Sequence, residues 1–132
     1  MKKCKDDFKI LLVDDDEMSL KSLHSFLSSE GYYVNSYSKP STALKSMDDF
    51  RYHMILTDYA MPEMSGLKLI QLIRKNYPEI YTILYTGFST EVLEDNIKKN
   101  ISVNYFIKKP LRIKELVNII NNTIKLKSRR KR

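Results

Sequence analysis

Short apolar runs recur along the chain, and stretches with helical spacing separate them. The runs cover residues 8–13, 32–34, 54–57, 80–85 and 105–107. Residues 10–13 are apolar at every position, without the alternation that is typical of a strand with one face in water. This pattern predicts a strand that is buried on both faces of a parallel sheet.

Apolar stripes at helical spacing lie between and after these runs. The first stripe is Leu20, Leu23 and Leu27, and the last is Ile113, Leu116, Val117, Ile120 and Ile124. Strand and helix patterns alternate five times along the chain. This order predicts a doubly wound α/β fold with a five-stranded parallel sheet and right-handed crossovers.

Turn-forming residues indicate where several helices begin and end. Gly31 predicts the end of the first helix, while Pro40 and the pair Ser65 and Gly66 predict the starts of later ones. Residues 91–100 carry the weakest helical pattern, because only three of these ten residues are apolar. This segment is expected either to be mobile or to form part of a docking surface.

Length and composition favour one globular domain. The chain has 132 residues, of which 42% are apolar and 30% charged, a balance typical of a folded domain. No apolar run approaches the ~18 residues that a bilayer-spanning helix needs, and no membrane contact is expected. Asp14, Asp15 and Asp16 interrupt the apolar stretch near the N-terminus, which argues against a signal peptide. Cys4 is the only cysteine, so an internal disulfide is excluded and a cytoplasmic location is expected.

The positive charge is concentrated at the C-terminus. The net charge is +7, and six basic residues lie within residues 125–132, which leaves the rest of the chain near +1. We therefore expect an N-terminal extension at residues 1–7, a domain at residues 8–125 and a disordered basic tail at residues 126–132. The basic stretch from Lys125 to Arg132 could make weak, salt-dependent contacts with nucleic acid, but no basic face is expected on the domain itself.

Polar and charged residues follow four of the predicted strands. Asp14 and Asp15 follow the first strand, Asp58 the third, Thr86 the fourth and Lys109 the fifth. An acid after a strand is by itself more often a turn former or a helix cap. In a sheet of this kind, however, ligands bind beyond the carboxyl ends of the strands, so these side chains are expected to converge on one edge.

Phosphoryl transfer explains why such residues would be gathered. Clustered carboxylates raise one another's pKa unless a cation lies among them, and Mg²⁺ prefers oxygen ligands. The reaction needs a nucleophile, a metal and fixed donors, and a carboxylate can be the nucleophile and become an aspartyl phosphate. Asp58 is the candidate nucleophile because it stands alone at its strand end, whereas the adjacent Asp14 and Asp15 are better placed to hold a metal.

Four stretches of the sequence resemble the motifs of the receiver domain of two-component response regulators. They are ILLVDDDE, LTDYAMPEMSGL, ILYTGFS and YFIKKPL, and the resemblance covers residues 8–125. It implies a flavodoxin-like (βα)5 fold with strand order 2-1-3-4-5. It also implies a phosphoacceptor of bacterial signalling, which takes a phosphoryl group from a histidine kinase or phosphotransfer protein and turns over no separate substrate.

The resemblance also implies how the acceptor site would work. Asp58 would be the phosphoacceptor. Asp15 would bind Mg²⁺ directly and Asp14 would bind it through water, with Asp58 itself and the backbone carbonyl of Ala60 as further ligands. Mn²⁺ could take the place of Mg²⁺.

The remaining motif residues would respond to the phosphoryl group. Thr86 would be the switch hydroxyl that moves to bond it, and Phe106 would be the aromatic residue that then packs inward. Lys109 would pair with a phosphoryl oxygen, and its bond to Pro110 would be cis, which proline permits. Gly87, being small, would leave the phosphoryl group accessible.

Some positions depart from the commonest form of these motifs. Ser65 stands where an aspartate is frequent, and we expect it to cap the following helix without disturbing the activity. Phe106 replaces the more usual tyrosine, so a signalling contact through a phenolic hydroxyl is not expected. Ala60 and Phe88 cannot position a water with a polar side chain, so the aspartyl phosphate is expected to hydrolyse slowly.

The output is expected to be a phosphorylation-dependent protein contact. We expect a downstream effector to bind the face formed by the fourth helix, the fifth strand and the fifth helix, around residues 95–100 and Phe106. A phosphorylation-dependent dimer is another form that the response could take. As presented, the chain is expected to be a stand-alone receiver, the alternative being a module excised from a larger regulator or hybrid kinase.

Two other functions are disfavoured. A metal-dependent phosphatase of the haloacid-dehalogenase type would carry an Asp-x-Asp pattern with a following threonine after its first strand, and a cap insertion, and the sequence has neither. A phosphohistidine is not expected either, because His24 and His53 do not follow a strand at the predicted edge. Both histidines are predicted to be structural or surface residues.

Overall fold

The computed structural model describes residues 8–87, 91–100, 102–110 and 112–130. Strands and helices alternate along these residues. The strands are β1 (Lys9–Val13), β2 (Tyr33–Tyr37), β3 (Met54–Asp58), β4 (Tyr81–Thr86) and β5 (Tyr105–Lys108). The helices are α1 (Glu17–Ser29), α2 (Pro40–Ser46), α3 (Gly66–Asn76), α4 (Glu91–Lys99) and α5 (Ile113–Arg130).

The five strands form one parallel sheet in the order β2-β1-β3-β4-β5. The predicted fold class and strand order are thereby confirmed. From β1 the chain goes first to β2 on one side and then to β3 on the other side. Strand order therefore reverses between β1 and β3, and the carboxyl ends of these two strands border the crevice where ligands bind in sheets of this kind.

An apolar layer covers each face of the sheet. One layer packs the sheet against α1 and α5 and includes Ile10, Leu12, Leu56, Ile83 and Leu116. The other packs it against α2, α3 and α4 and includes Leu11, Val13, Ile55, Leu69 and Leu84. Successive residues of β1 alternate between the two layers, and all of residues 10–13 are 0% exposed. This double burial explains why the strand has no polar alternation.

The predicted helix boundaries are confirmed. Gly31 lies just beyond the end of α1 with a φ of 94°, a conformation that glycine adopts without the steric penalty of a side chain. Pro40 is the first residue of α2. The Ser65 hydroxyl accepts a hydrogen bond from the Lys68 backbone N–H at 3.1 Å, so it caps α3 as expected.

Strand β2 is longer than its apolar run. It extends to Tyr37 and pairs with β1 along its whole length. Because β2 is the edge strand of the sheet, it does not need an apolar side chain at every position. The polar Asn35 and Ser36 therefore belong to the strand although the apolar run ends at Val34.

The disorder predicted for the basic tail is wrong for residues 126–130. Helix α5 continues to Arg130, past the expected domain end at residue 125. Lysine, leucine and arginine are strong helix formers, and the Lys127 ammonium donates to the Glu79 carbonyl at 2.7 Å. The rest of the tail and the predicted extension at residues 1–7 lie outside the described residues. Within the described ranges, no helix combines the length and the apolar character needed to cross a membrane.

Candidate functional site

The carboxyl ends of the strands bring the predicted acids together. Asp14 and Asp15 follow β1, and Asp58 is the last residue of β3. One carboxylate oxygen from each of these three residues lies within 4.8 Å of the others. Asp14 and Asp58 are buried, whereas Asp15 is exposed at the mouth of the cluster.

The cluster has the chemistry of a site for a hard cation. Mg²⁺ prefers oxygen ligands and usually keeps several waters, so it needs only a few protein carboxylates. Asp14, Asp15 and Asp58 supply three carboxylates at one point, one of them open to solvent. Burial raises the pKa of the Asp58 carboxyl above its ordinary value, and the charges of the other two acids act in the same direction. A cation beside Asp58 would offset both effects.

Lys109 supplies a positive charge from the other side of Asp58. Its ammonium lies 3.6 Å from Asp58 Oδ1 and 3.8 Å from Asp14 Oδ2, and its charge opposes the rise in the pKa of Asp58. The Lys109 backbone N–H donates to the Thr86 carbonyl at 2.8 Å, which extends the pairing of β4 with β5. The peptide bond between Lys109 and Pro110 is cis, as predicted.

Tyr85 is a further residue of this site. It lies within the stretch ILYTGFS, but no role was expected for it. Its hydroxyl donates to Asp14 Oδ2 at 2.7 Å, and the Lys109 Nζ lies 4.8 Å from the centre of its ring. Burial and, next, the Asp14 charge raise the pKa of Tyr85, so the phenol keeps its proton and remains a donor. The one signal in the sequence is a tyrosine within a buried strand, since a buried phenol usually finds a hydrogen-bond partner.

The other predicted residues lie around the same edge. Thr86 is the last residue of β4 and is 2% exposed. Gly87 follows it and is exposed, and a Cβ built there would approach the Lys109 side chain at 3.4 Å. Ala60 is exposed two residues after Asp58. Phe88, which was expected to influence hydrolysis of the aspartyl phosphate, lies outside the described residues.

Phe106 lies on β5, farther from the acids. It is partly buried and packs against the apolar layer that contains α3 and α4. The residue is therefore placed between the sheet and the outer surface of the domain. This position is compatible with an aromatic side chain that can move between a buried and a more exposed arrangement.

Gly66 sets the distance between α3 and the end of β3. A Cβ at this position would collide with the backbone carbonyl oxygen of Asp58 and would lie 2.8 Å from Leu84 Cδ1. The Gly66 N–H donates to the Tyr59 carbonyl at 2.7 Å, and the Tyr59 N–H donates to the Tyr85 carbonyl at 2.8 Å. These contacts fix the backbone on the carboxyl side of Asp58.

The two histidines have structural roles, which confirms their predicted character. His53 Nδ1 accepts from the Lys9 backbone N–H at 3.0 Å, and its ring stacks on Phe8 at 5.2 Å between centroids. His24 Nδ1 lies 2.9 Å from the Ser36 hydroxyl, between α1 and β2. Neither belongs to the acid cluster.

Comparison with known proteins identifies the family. The sequence model of the response regulator receiver domain matches residues 10–121 of the chain. The chain belongs to this family.

Among curated relatives, the two-component response regulator ORR22 of Oryza sativa subsp. indica is 31% identical over 121 residues, which cover 90% of this chain and 17% of the relative. The chain therefore spans a small part of that protein. The response regulator receiver protein CpdR of Brucella abortus is 27% identical over 118 residues, which cover 88% of this chain and 96% of the relative. Because relatives occur in plants as well as bacteria, the bacterial origin stays a prediction.

Solved structures agree with the fold. A CheY-like receiver domain protein from Methanospirillum hungatei superposes with a TM-score of 0.85 at 25% identity, covering 93% of this chain and 98% of that one. The response regulator TrrA of Thermotoga maritima, solved in complex with Mg²⁺ and BeF, has a TM-score of 0.75 at 26% identity, covering 88% of this chain and 98% of that one.

Proposed function

We propose that the receiver accepts a phosphoryl group on Asp58 from a phosphohistidine of a histidine kinase or phosphotransfer protein. A carboxylate oxygen of Asp58 would form the new bond to phosphorus, while the bond from phosphorus to the imidazole nitrogen breaks and the nitrogen keeps the electron pair. The observation that carries this proposal is the buried Asp58 carboxylate between two further acids and the Lys109 ammonium.

The acid cluster would hold Mg²⁺, with Mn²⁺ as a substitute. Asp14, Asp15, Asp58 and the backbone carbonyl of Ala60 would be the ligands, with Asp14 acting through water. A bound divalent cation neutralises charge on the transferred group. The Mg²⁺ and BeF complex of the related TrrA supports this assignment.

Lys109 and Thr86 would meet the phosphoryl group once it is formed. The Lys109 ammonium, already 3.6 Å from Asp58 Oδ1, would pair with a phosphoryl oxygen in a charge-assisted contact. The Thr86 hydroxyl would move to donate to another oxygen. Phe106 would then turn inward, so that the covalent change at Asp58 alters the surface around β5.

The altered surface would bind a protein partner through α4, β5 and α5. Four large apolar side chains are exposed in the described parts of these elements, namely Val92 at 70%, Tyr105 at 37%, Ile113 at 48% and Leu126 at 51%. Surface charges accompany them, including an ion pair of 3.0 Å between Glu94 and Lys108. A second copy of the chain is an alternative partner, in a phosphorylation-dependent dimer. We expect the protein to work in the cytoplasm.

The receiver would act as a signal carrier and would turn over no separate substrate. Loss of the phosphoryl group would require a water aligned with phosphorus. Ala60, exposed two residues after Asp58, has no polar side chain with which to align it. We therefore propose slow spontaneous hydrolysis, and decay within seconds in a phosphate-release assay would contradict this.

Incubation with Mg²⁺ and phosphoramidate, followed by intact mass measurement, tests the central proposal. The wild type should gain one phosphoryl group, and Asp58→Asn should gain none. Asp48→Asn, which alters an exposed acid in the turn after α2, is the matched control and should react like the wild type. A wild type that remains unmodified would refute the proposal, and labelling that persists in Asp58→Asn would move the acceptor to another residue.

A further inference from the structure

Tyr85 contacts two charged neighbours of Asp58, Asp14 and Lys109, with different parts of its side chain. Its hydroxyl donates to Asp14 Oδ2 at 2.7 Å, and its ring faces the Lys109 ammonium at 4.8 Å. The residue is 1% exposed, and it lies opposite Asp58 in the pairing of β3 with β4. Water therefore has little room to replace the contact of the hydroxyl with Asp14, whereas the Lys109 side chain is 29% exposed.

The Lys109 ammonium lies between two buried anions at nearly the same distance, 3.6 Å from Asp58 and 3.8 Å from Asp14. The two oxygens of Asp14 each have a donor of their own. Oδ1 accepts from the Asp16 backbone N–H at 3.0 Å, and Oδ2 accepts from the Tyr85 hydroxyl. A buried carboxylate oxygen that lost its donor would attract the nearest cation more strongly, because an unsatisfied charge in the interior is costly.

We propose that Tyr85 is a positioning residue, whose hydroxyl satisfies Asp14 so that the Lys109 ammonium stays available to Asp58 and to a phosphoryl group on it. The ring supports the same ammonium through a cation–π contact. The effect of Tyr85 on phosphoryl transfer rests on the proposed function. The effect of Tyr85 on the position of Lys109 in the free protein does not depend on the proposed function.

A kinetic test distinguishes the contribution of the Tyr85 hydroxyl to the phosphorylation rate from that of its ring. Tyr85→Phe removes only the hydroxyl, and Tyr81→Phe, at the opposite end of β4, is the control. At saturating Mg²⁺, Tyr85→Phe should slow phosphorylation by phosphoramidate about tenfold, the order that one hydrogen bond to a charged group is worth. The Mg²⁺ dissociation constant, measured by calorimetry, should change by less than about threefold because every carboxylate is retained. Wild-type kinetics in Tyr85→Phe would overturn the proposal.

A double-mutant cycle shows whether Tyr85 acts through Lys109. In a Lys109→Gln background, adding Tyr85→Phe should cause no further loss of rate. A loss of the same factor with and without the lysine would mean that the hydroxyl acts in another way, and the proposal would be wrong. A general structural defect would lower the rate in both backgrounds, so the cycle also excludes that explanation.

The position of Lys109 can be followed without any phosphorylation. In the metal-free protein, the ¹³C resonance of the Lys109 side chain next to its ammonium should shift when Asp58 is changed to asparagine. In Tyr85→Phe the same change should produce a clearly smaller shift, because the ammonium has moved toward Asp14. Equal shifts would overturn the proposal. If the wild type fails to accept a phosphoryl group but the two shifts differ, the proposed function fails and the positioning role of Tyr85 stands.

Discussion

Replacing Arg74 by leucine should destabilise the domain, although this residue lies at the opposite end of the sheet from the acids. Arg74 is in the last turn of α3, and burial lowers the pKa of its guanidinium. The guanidinium lies within hydrogen-bonding distance, 2.6 to 3.0 Å, of five uncharged oxygens, and its Nη1 and Nη2 donate to them with four N–H groups, so that two acceptors share one N–H. The acceptors are Pro78 O, Ile80 O, Thr82 Oγ1, Ser102 O and Asn104 Oδ1.

The size of the effect follows from how many of these bonds contribute net stability. A hydrogen bond to a charged group contributes about 1.5 to 3 kcal/mol, and four such bonds would together approach the total stability of a small domain, about 5 to 15 kcal/mol. The net effect must be smaller, because the partly buried guanidinium has lost some of its hydrating water and some acceptors keep another donor. Asn104 Oδ1, for example, also accepts from the Thr82 N–H at 2.8 Å. We expect Arg74→Leu to lower the free energy of unfolding by about 3 kcal/mol.

Urea unfolding of three variants measures this loss in the free energy of unfolding. Arg74→Lys keeps the charge but places all donors on one nitrogen, which cannot reach acceptors on both sides of the planar fork, so we expect roughly half the loss of the leucine variant. Lys75→Leu, the neighbouring exposed position, is the control and should change stability by less than about 0.5 kcal/mol. If Arg74→Leu unfolds at the same urea concentration as the wild type, the hydrogen bonds of Arg74 do not anchor the loop before β5, and the reasoning is wrong.

Three further predictions concern the acid site. Gly66→Ala should cost more than about 2 kcal/mol in urea unfolding, since its Cβ would collide with the Asp58 carbonyl; an unchanged midpoint would contradict this close approach. In EDTA, Asp58→Asn should be more stable than the wild type at neutral pH, and the difference should shrink toward about pH 4. Burial raises the pKa of Asp58 in the folded protein, so the folded protein holds this proton more tightly than the unfolded chain does. The wild type therefore loses stability as pH rises through the raised pKa, and Asp58→Asn does not. A stability difference between the two proteins that grows in acid would refute this prediction. Mg²⁺ should raise the unfolding temperature of the wild type by mass action and raise that of Asp15→Asn less; equal shifts would count against Asp15 as a ligand.

The convergence of the acids could be predicted because it depends on topology alone. In a parallel sheet, the residues that end or follow the strands lie at the same edge, and β1 and β3 are neighbours, so Asp14 and Asp58 come close together. Lys109 follows β5, two strands from β3, and reaches Asp58 with its long side chain. Tyr85 and Arg74 could not be predicted in the same way. Their partners lie 71 and up to 30 residues away in sequence, and only the side-chain packing of the folded domain decides which buried donor reaches which acceptor.

The end of α5 shows a different limit of the sequence pattern. A run of lysine and arginine is compatible both with a solvated helix and with disorder, because it buries little apolar surface in either case. The contact that favours the helix is the bond from Lys127 to the Glu79 carbonyl, 48 residues away. No local pattern around Lys127 encodes that contact.

Asp14 and Asp58 are chemically identical and adjacent in space, yet their surroundings suit them to different tasks. Both oxygens of Asp14 accept hydrogen bonds, of 2.7 and 3.0 Å, from Tyr85 and from the Asp16 backbone. The nearest charged partner of Asp58 is the Lys109 ammonium at 3.6 Å, beyond hydrogen-bonding distance. The Tyr59 backbone N–H also acts on the Asp58 carboxylate, so Asp58 differs from Asp14 in having a movable ammonium among its partners and no second fixed side-chain donor in the described part of the chain. A carboxylate with both oxygens engaged by fixed donors is the weaker nucleophile of the two. This difference supports Asp58 as the acceptor, and it makes the Tyr85 hydroxyl part of what distinguishes the two acids.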